Sequence, residues 1–527
     1  MRLETKRTFQ AAVSAALLAS AAIAGGVGSD LTIIFITDPT LDQVFRCQDV
    51  NEDGDFNDIG ETVLFYDGQV APLGLTNPVA LSADPNDQVF IGDSIDQRIL
   101  VLRDNDDDGD ANDAGEALLY FDGAPGGNAS GVVMPQVTSI TVRILGTVWV
   151  TNANTNGSNA DTVIRLRDLN ADGDANDANE SRVYWVSGAS LPLDASILTS
   201  IDVGYDGLVY VLENGTAASR GLYRLLDLNG SGIIDNPAEV QTAWIPTQFL
   251  PADLTSAEVG AQGEWYLLDR ANQLVQVGFD VSGNGSIDGT TEAAPFWAIL
   301  PNQNFYDMAV TVPGGEIFLG DISGASDLIV TAHDQDSSGA VDSALEVFPV
   351  YDDSVSSVNI DNPYSISVDF HDHEGVGDAF CAGDSPLCPC GNSGTAESGC
   401  ANSLGIGIGA QLLGFETDGI ANDDLLLAFL QLPPNVPVLL YSGTSAVAGG
   451  VGTPFGDGLR CVGGSVTRLG VQFTNGAGTT TFGPGYAAQL GVSVGETRYF
   501  QGWYRNIAGP CGQRFNLSNG LQITFTP

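Results

Sequence analysis

Residues 49–61 read DVNEDGDFNDIGE, and the same register returns at 104–116 (DNDDDGDANDAGE), 168–180 (DLNADGDANDANE), 227–239 (DLNGSGIIDNPAE), 280–292 (DVSGNGSIDGTTE) and 334–346 (DQDSSGAVDSALE). The shared form is D-x-[DNS]-x-[DNS]-G-x-x-[DN]-x-x-x-E, and successive opening aspartates lie 53 to 64 residues apart. Self-similarity at such a period is the signature of a repeat architecture, in which each repeat is one supersecondary unit.

Each acidic loop sits inside a larger unit of four short β-type runs. In the second unit these are Pro78–Asp84, Val89–Asp93, Arg98–Arg103 and, after the loop, Ala117–Phe121. β-branched and aromatic runs separated by Gly, Asp and Asn predict strands. They are called A to D below. Four strands in about 55 residues correspond to one blade of a β-propeller. The B run repeats on its own, as Ile34–Asp38, Val89–Asp93, Val148–Asn152, Val209–Glu213, Trp265–Asp269 and Ile317–Asp321. An apolar run ending in an acidic or amide residue resembles the strand signature of NHL-type and related six-bladed propellers. The resemblance covers residues 31–370 and implies a fold, not an activity, because such propellers host enzymes and binding modules alike.

The strand count closes the ring. The first unit has no A strand before Leu31, and one orphan run, Tyr364–Phe370, follows the sixth unit. The last strand is therefore expected to complete the first blade, which removes the exposed edges of an open sheet.

Calcium takes six to eight oxygen ligands, and a loop with oxygen side chains at positions 1, 3, 5 and 9 can wrap one ion. Glycine at position 6 permits the tight turn. The loops resemble the calcium loop of EF-hands and, more closely, the D-x-D-x-D-G-x-x-D loops of integrin-type propeller blades. They depart from the EF-hand in carrying Glu at position 13 and in being flanked by strands. The expected ligands are Asp49, Asn51, Asp53, Asp55, Asn57 and Glu61 in loop one; Asp104, Asp106, Asp108, Asp110, Asn112 and Glu116 in loop two; and Asp168, Asn170, Asp172, Asp174, Asn176 and Glu180 in loop three. Loop four offers Asp227, Asn229, Ser231, Asp235 and Glu239; loop five Asp280, Ser282, Asn284, Asp288 and Glu292; loop six Asp334, Asp336, Ser338, Asp342 and Glu346. Asp58, Asp113 and Asp177 at position 10 are alternatives to the Glu as the closing group. Up to six calcium ions are expected, mainly structural and most tightly held in loops one to three. All C–D loops should emerge on one face of the disc, opposite the D–A and B–C loops that form the usual ligand face.

Composition agrees with these sites and excludes other functions. The 527 residues carry 66 Asp and Glu against 18 Lys and Arg, a formal charge of −48. A chain so acidic lacks the basic stripe that nucleic acid requires. Residues 1–24 have the basic start, short apolar run and small-x-small end of a secretory leader. Its loss takes Arg2, Lys6 and Arg7 with Glu4, leaves the charge at −50, and leaves no lysine. The six loops hold 28 of the remaining 65 acidic residues.

Catalytic residues are sparse. Of three histidines, His333 adjoins loop six, and His371 and His373 fall in a linker at 371–380. The A strands line a propeller's channel, so Asp202, Glu258, Asp307 and Asp369 are the candidates for convergent channel acids. Arg46, Arg165 and Arg224 each stand three residues before a loop Asp and are expected to buttress loops.

From residue 381 the repeats stop. Cys381, Cys388, Cys390, Cys400, Cys461 and Cys511 form an even set, which in an exported chain implies disulfides of undetermined pairing. Cys47 stands alone and reads as a buried thiol. A disulfide-bonded β-sandwich is expected over 381–527, with strand-like runs at Leu425–Leu432, Val438–Tyr441, Thr467–Phe473, Tyr499–Tyr504 and Leu521–Thr526. Its CPCGN, FGDGLRC, QGWYR and FNLSNG segments resemble a C-terminal module of large exported proteins in some aquatic bacteria, which implies no activity. Trp503, Tyr504 and Arg505 offer either a sugar-binding patch or, for the aromatic pair, buried core. The expected whole is an exported, calcium-stabilised, all-β protein: a six-bladed propeller followed by the sandwich. It would act as a non-catalytic module binding a protein or glycan at or outside the cell surface. A channel hydrolase or lactonase is the alternative.

Overall fold

The computed structural model describes residues 33–526 apart from short internal stretches, the longest of which are 154–160, 188–196, 247–252 and 370–375. The leader, His371 and His373 lie outside the described residues. Two compact units make up the chain, one running to Asp372 and the other starting at His373.

The first unit is a six-bladed β-propeller, each blade a four-stranded antiparallel sheet in simple meander order. The innermost (A) strands are Ser365–Asp369, Pro78–Ala83, Val137–Arg143, Leu198–Val203, Leu254–Val259 and Phe305–Val310 for blades one to six. They touch in succession, and the last touches the first. Ser365–Asp369 pairs antiparallel with Ile33–Asp38, Ile366 opposite Ile36, so the C-terminal strand closes the ring as expected. Five of the six B strands are buried along their whole length, and the blade-three strand is so except at Thr147 and Trp149, because both faces of each sheet pack on neighbouring blades. One such seam gathers Phe90, Val101 and Phe121 of blade two with Ile140, Val150 and Ile164 of blade three.

The residue ending the B strand, read from sequence only as a signature, proves in five of the six blades to be a buried fastener. Asp38 Oδ1 accepts from Thr40 and Leu41 N–H, while Oδ2 accepts from Asp361 (2.7 Å) and Asn362. Asp93, Asn152, Asp269 and Asp321 likewise accept the N–H of Thr76, Gln136, Asp253 and Asn304, which precede their own A strands. A buried carboxylate needs such donors, and one side chain thus secures both connections at that end of the blade.

The second unit is a β-sandwich. A five-stranded sheet contains Asp378–Phe380, Phe515–Thr524, Thr497–Arg505, Pro437–Gly443 and Thr467–Phe473 in that spatial order, and a three-stranded sheet contains Gln411–Phe415, Leu426–Leu430 and Thr480–Phe482. Leu427, Phe429, Leu440, Phe500, Tyr504 and Ile523 fill the space between them. Disulfides join Cys381 to Cys461, Cys388 to Cys400 and Cys390 to Cys511.

Two sequence readings change. Residues 378–380, placed in a linker, form a strand on the terminal strand. The terminal strand begins at Phe515, not Leu521. The polar run FNLSNG lies within it, its side chains bonded inward: Asn519 exchanges two hydrogen bonds with the Leu412 backbone, and Ser518 Oγ accepts from Gly502 N–H. Tyr504 is core, whereas Trp503 lies half-buried on the other face against Phe515 and Arg505 is exposed.

Candidate metal loops and channel

The C–D loops share one backbone design. The position-1 aspartate caps the turn with both oxygens: Asp49 Oδ1 accepts from Asp53 N–H (3.2 Å) and Oδ2 from Gly54 N–H (2.8 Å). Asp104, Asp227, Asp280 and Asp334 repeat this pair of bonds, and Asp168 repeats the second. The position-6 glycines have φ of 97°, 100°, 99°, 77°, 84° and 86°, the left-handed region where any other residue is strained.

The position-13 glutamate is at most 5% exposed in every loop. In loop two, Glu116 Oε1 accepts from Asn105 N–H (2.9 Å) and Oε2 from Asp113 N–H (3.1 Å). Glu61, Glu180 and Glu239 bridge the start and end of their loops in the same way, as does Glu292. The glutamate thus staples the loop by its backbone, while remaining close to the other acids. Carboxylate oxygens of Asp49, Asp53 and Glu61 lie within 4.8 Å of one another, as do those of Asp104, Asp106 and Asp108, and those of Asp172, Asp174 and Glu180. Such all-oxygen donor sets suit a hard cation. Repulsion from Asp108 is the chief cause raising the Asp106 carboxyl above its usual range, with Glu116 and Asp113 adding to it.

Position 9 departs from expectation. In loops one to three its asparagine faces the preceding blade: Asn57 Oδ1 accepts from Asp352 N–H (2.9 Å), Asn112 from Asp67 (2.9 Å) and Asn176 from Asp122 (2.8 Å). The position-10 aspartates turn inward in its place, with Asp58 Oδ2 accepting from Asn51 Nδ2 and Asp177 Oδ2 from Asn170 Nδ2. In loop five, Asp288 at position 9 does stay with its own loop, bonded to Asn284 and Ser286. Asn229 and Asp336 lie outside the described residues.

Sequence reading also missed position 8. It is Phe56, Ala111, Ala175, Ile234, Ile287 and Val341, apolar and buried in all six loops. The N–H of each donates to a carbonyl in the outer strand of the preceding blade, namely Val350, Phe65, Tyr120, Tyr184, Ala243 and Phe296. A buried apolar residue amid polar ones at a fixed position of every repeat was the available signal. The arginines serve the loops less uniformly than expected. Arg224 packs against Gly285 of loop five, Arg182 reaches Ser231 of loop four, and Arg46 bonds Gln48.

Two of the four channel acids are engaged in the walls. Asp202 is 2% exposed; it accepts from Thr141 Oγ1 (3.1 Å) in blade three and from Val259 N–H (3.1 Å) in blade five. Asp307 Oδ2 accepts from Ser365 Oγ (2.7 Å) and Ile366 N–H in blade one, and burial pushes its carboxyl above the usual range. Ser82, Ser200 and Ser367 make the same kind of bond to the next A strand, at Val142, Ala257 and Ala83 N–H. Glu258 is half-buried on its A strand, and the side chain of Asp369 lies outside the described ones. At the end of the blades opposite the acidic loops, Tyr306 stacks on Tyr364 (4.4 Å), and the Arg270 guanidinium lies 5.4 Å from the Tyr306 ring.

No family model matches the chain, and no curated protein matches it in sequence. Solved structures resemble its fold. A chain of a nidogen–laminin complex is 12% identical over 65% of this chain and 99% of its own, with a TM-score of 0.42. Virginiamycin B lyase from Staphylococcus aureus is 14% identical over 64% and 89%, with a TM-score of 0.35. A protein of unknown function from Bacteroides caccae is 11% identical over 64% and 98%, with a TM-score of 0.37. These likenesses concern the fold alone.

Proposed function

We propose that this is an exported calcium-loaded propeller whose work is non-catalytic binding of a protein or glycan at or outside the cell surface. One observation carries the calcium reading: six independent loops fold to one acid-lined turn, and three of them bring carboxylate oxygens within 4.8 Å. Bringing such groups together costs energy that a divalent ion offsets. The reading of the channel follows from Asp202 and Asp307, whose oxygens bond neighbouring blades and so hold the wall together. The partner surface is the end opposite the loops, where Tyr306, Tyr364 and Arg270 cluster. Export is supported by three disulfides, which persist in oxidising compartments. Among the described residues, no helix is long and apolar enough to cross a membrane.

The test is thermal unfolding of the full chain in excess EDTA and in 5 mM calcium. At a dissociation constant of about 10⁻⁴ M, typical of extracellular modules, each site adds about 2.3 kcal/mol. The midpoint should therefore rise by several degrees; an unchanged midpoint sinks the proposal.

A further inference from the structure

The second unit carries a buried polar nest with no role in any of the above. We propose that it is a further cation site, built by Asp457, Asn506 and Asn392 and taking a hard divalent ion, calcium by its donor set. Asp457 and Asn506 are both 0% exposed and Asn392 is 9% exposed. Among the described residues, Asp457 Oδ2, both amide atoms of Asn506, and Asn392 Oδ1 have no hydrogen-bond partner. Asp457 keeps one donor, the N–H of Gln513 on Oδ1 (2.9 Å). No described arginine forms an ion pair with it.

These groups belong to one place. A Cβ on Gly509 would overlap both Asp457 Oδ2 and Asn506 Nδ2, so both face the same Cα. Asn392 Nδ2 donates to the Asp457 carbonyl (2.7 Å), which holds the second amide beside them. The loop above is pinned by Gly509 N–H to Asn506 O, by Asn506 N–H to Arg514 O, and by the Cys390–Cys511 disulfide. Three of the segments singled out in sequence, CPCGN, FGDGLRC and FNLSNG, meet here, through Asn392, Asp457 and Asn516, whose Nδ2 shares the Ala401 carbonyl with Asn392.

A buried carboxylate must be paired, hydrogen-bonded or metal-bound. Here one oxygen has no protein donor, the Asn506 amide is unbonded at both ends, and Asn392 keeps an unbonded oxygen. Because nothing bonds the Asn506 amide, either of its ends can face the nest. One carboxylate oxygen, two amide oxygens and nearby carbonyls make an all-oxygen set of the kind calcium takes.

The site is independent of the propeller loops, and its enclosure separates it from them in an experiment. The full chain is equilibrated with calcium, desalted, and its metal counted by mass spectrometry. The exposed loops release their ions on desalting, and about one calcium per chain should remain. Asp53→Asn in loop one should keep it and Asp457→Asn should lose it. Equal metal in wild type and Asp457→Asn, or none in either, overturns the proposal in favour of bound water alone. Should Asp457→Asn fail to fold, terbium replaces calcium. Trp503 packs on Phe515 (5.5 Å), whose carbonyl accepts the Asp457 N–H. Tryptophan-excited terbium emission that survives desalting should fall at least twofold in Trp503→Phe, and an unaltered signal overturns the site.

Discussion

Glu116→Gln is the sharpest probe of the loops, because it changes one heavy atom and leaves the volume nearly alone. The carboxylate holds Asn105 N–H at 2.9 Å and Asp113 N–H at 3.1 Å from a side chain 3% exposed. The amide keeps one acceptor and turns an NH2 toward the other N–H. Loss of one charge-assisted hydrogen bond costs about 2 kcal/mol. That corresponds to roughly a 30-fold fall in the protection of the released amide, since 1.4 kcal/mol is a factor of ten. The same substitution removes one of the charges that repel Asp106. In EDTA this relief offsets part of the loss; in calcium the ion already screens the acids, so the full loss appears. Amide hydrogen exchange at Asn105 and Asp113, in both conditions, measures this. Equal falls with and without calcium would refute an ion in loop two, and no fall at all would refute the staple.

Three further outcomes are expected. Asn112→Ala should cost about 1 kcal/mol by stranding Asp67 N–H and weaken calcium binding only through that loosened fastening, less than Asp113→Asn does; titration calorimetry on both compares them. Burial raises Asp307 in the folded state above its ordinary 3.8, so the folded protein holds this proton longer than the unfolded one, and stability falls as pH rises from about 4 through the folded value; Asp307→Asn should remove that part of the decline in melts between pH 4 and 7. Burial pushes the Cys47 thiol up to about 12, so a thiol reagent at pH 8 should label it only after unfolding.

The fold was legible because its determinants are periodic. Repeated turns, B strands ending in an acid or amide, and an orphan strand after Asp361 follow from chain geometry that sequence spacing displays directly. The loops were legible only in part, because the pattern of oxygens says which residues can bind an ion and not which way each one turns. Asn57, Asn112 and Asn176 fit the ligand pattern, yet their oxygens go to Asp352, Asp67 and Asp122 of other blades. That choice depends on a neighbour 45 or more residues away, which no local spacing encodes. The terminal strand was misjudged for a related reason. Asn516, Ser518 and Asn519 are polar, and only the fold supplies the buried partners that let polar residues occupy a core strand.

The acidic loops therefore do two things with one stretch of chain. In loops one to three, positions 1, 3, 5 and 10 face inward on one another, while positions 8 and 9 fasten the outside of the loop to the preceding blade. Anything that orders the inside also orders the fastening, because only a few bonds of backbone separate them. At loop one the preceding blade is the sixth, where Phe56 N–H meets Val350 O at 2.6 Å and Asn57 meets Asp352. The ring is thus closed twice, at its centre by Ser365–Asp369 against Ile33–Asp38 and at its rim by loop one. The inner closure is a strand pairing that needs no ion. The outer closure depends on a loop with six acidic residues in 13, whose mutual repulsion opposes the shape that makes the contact. An ion in loop one would accordingly steady the closing seam itself, and its removal should loosen the joint between the last blade and the first.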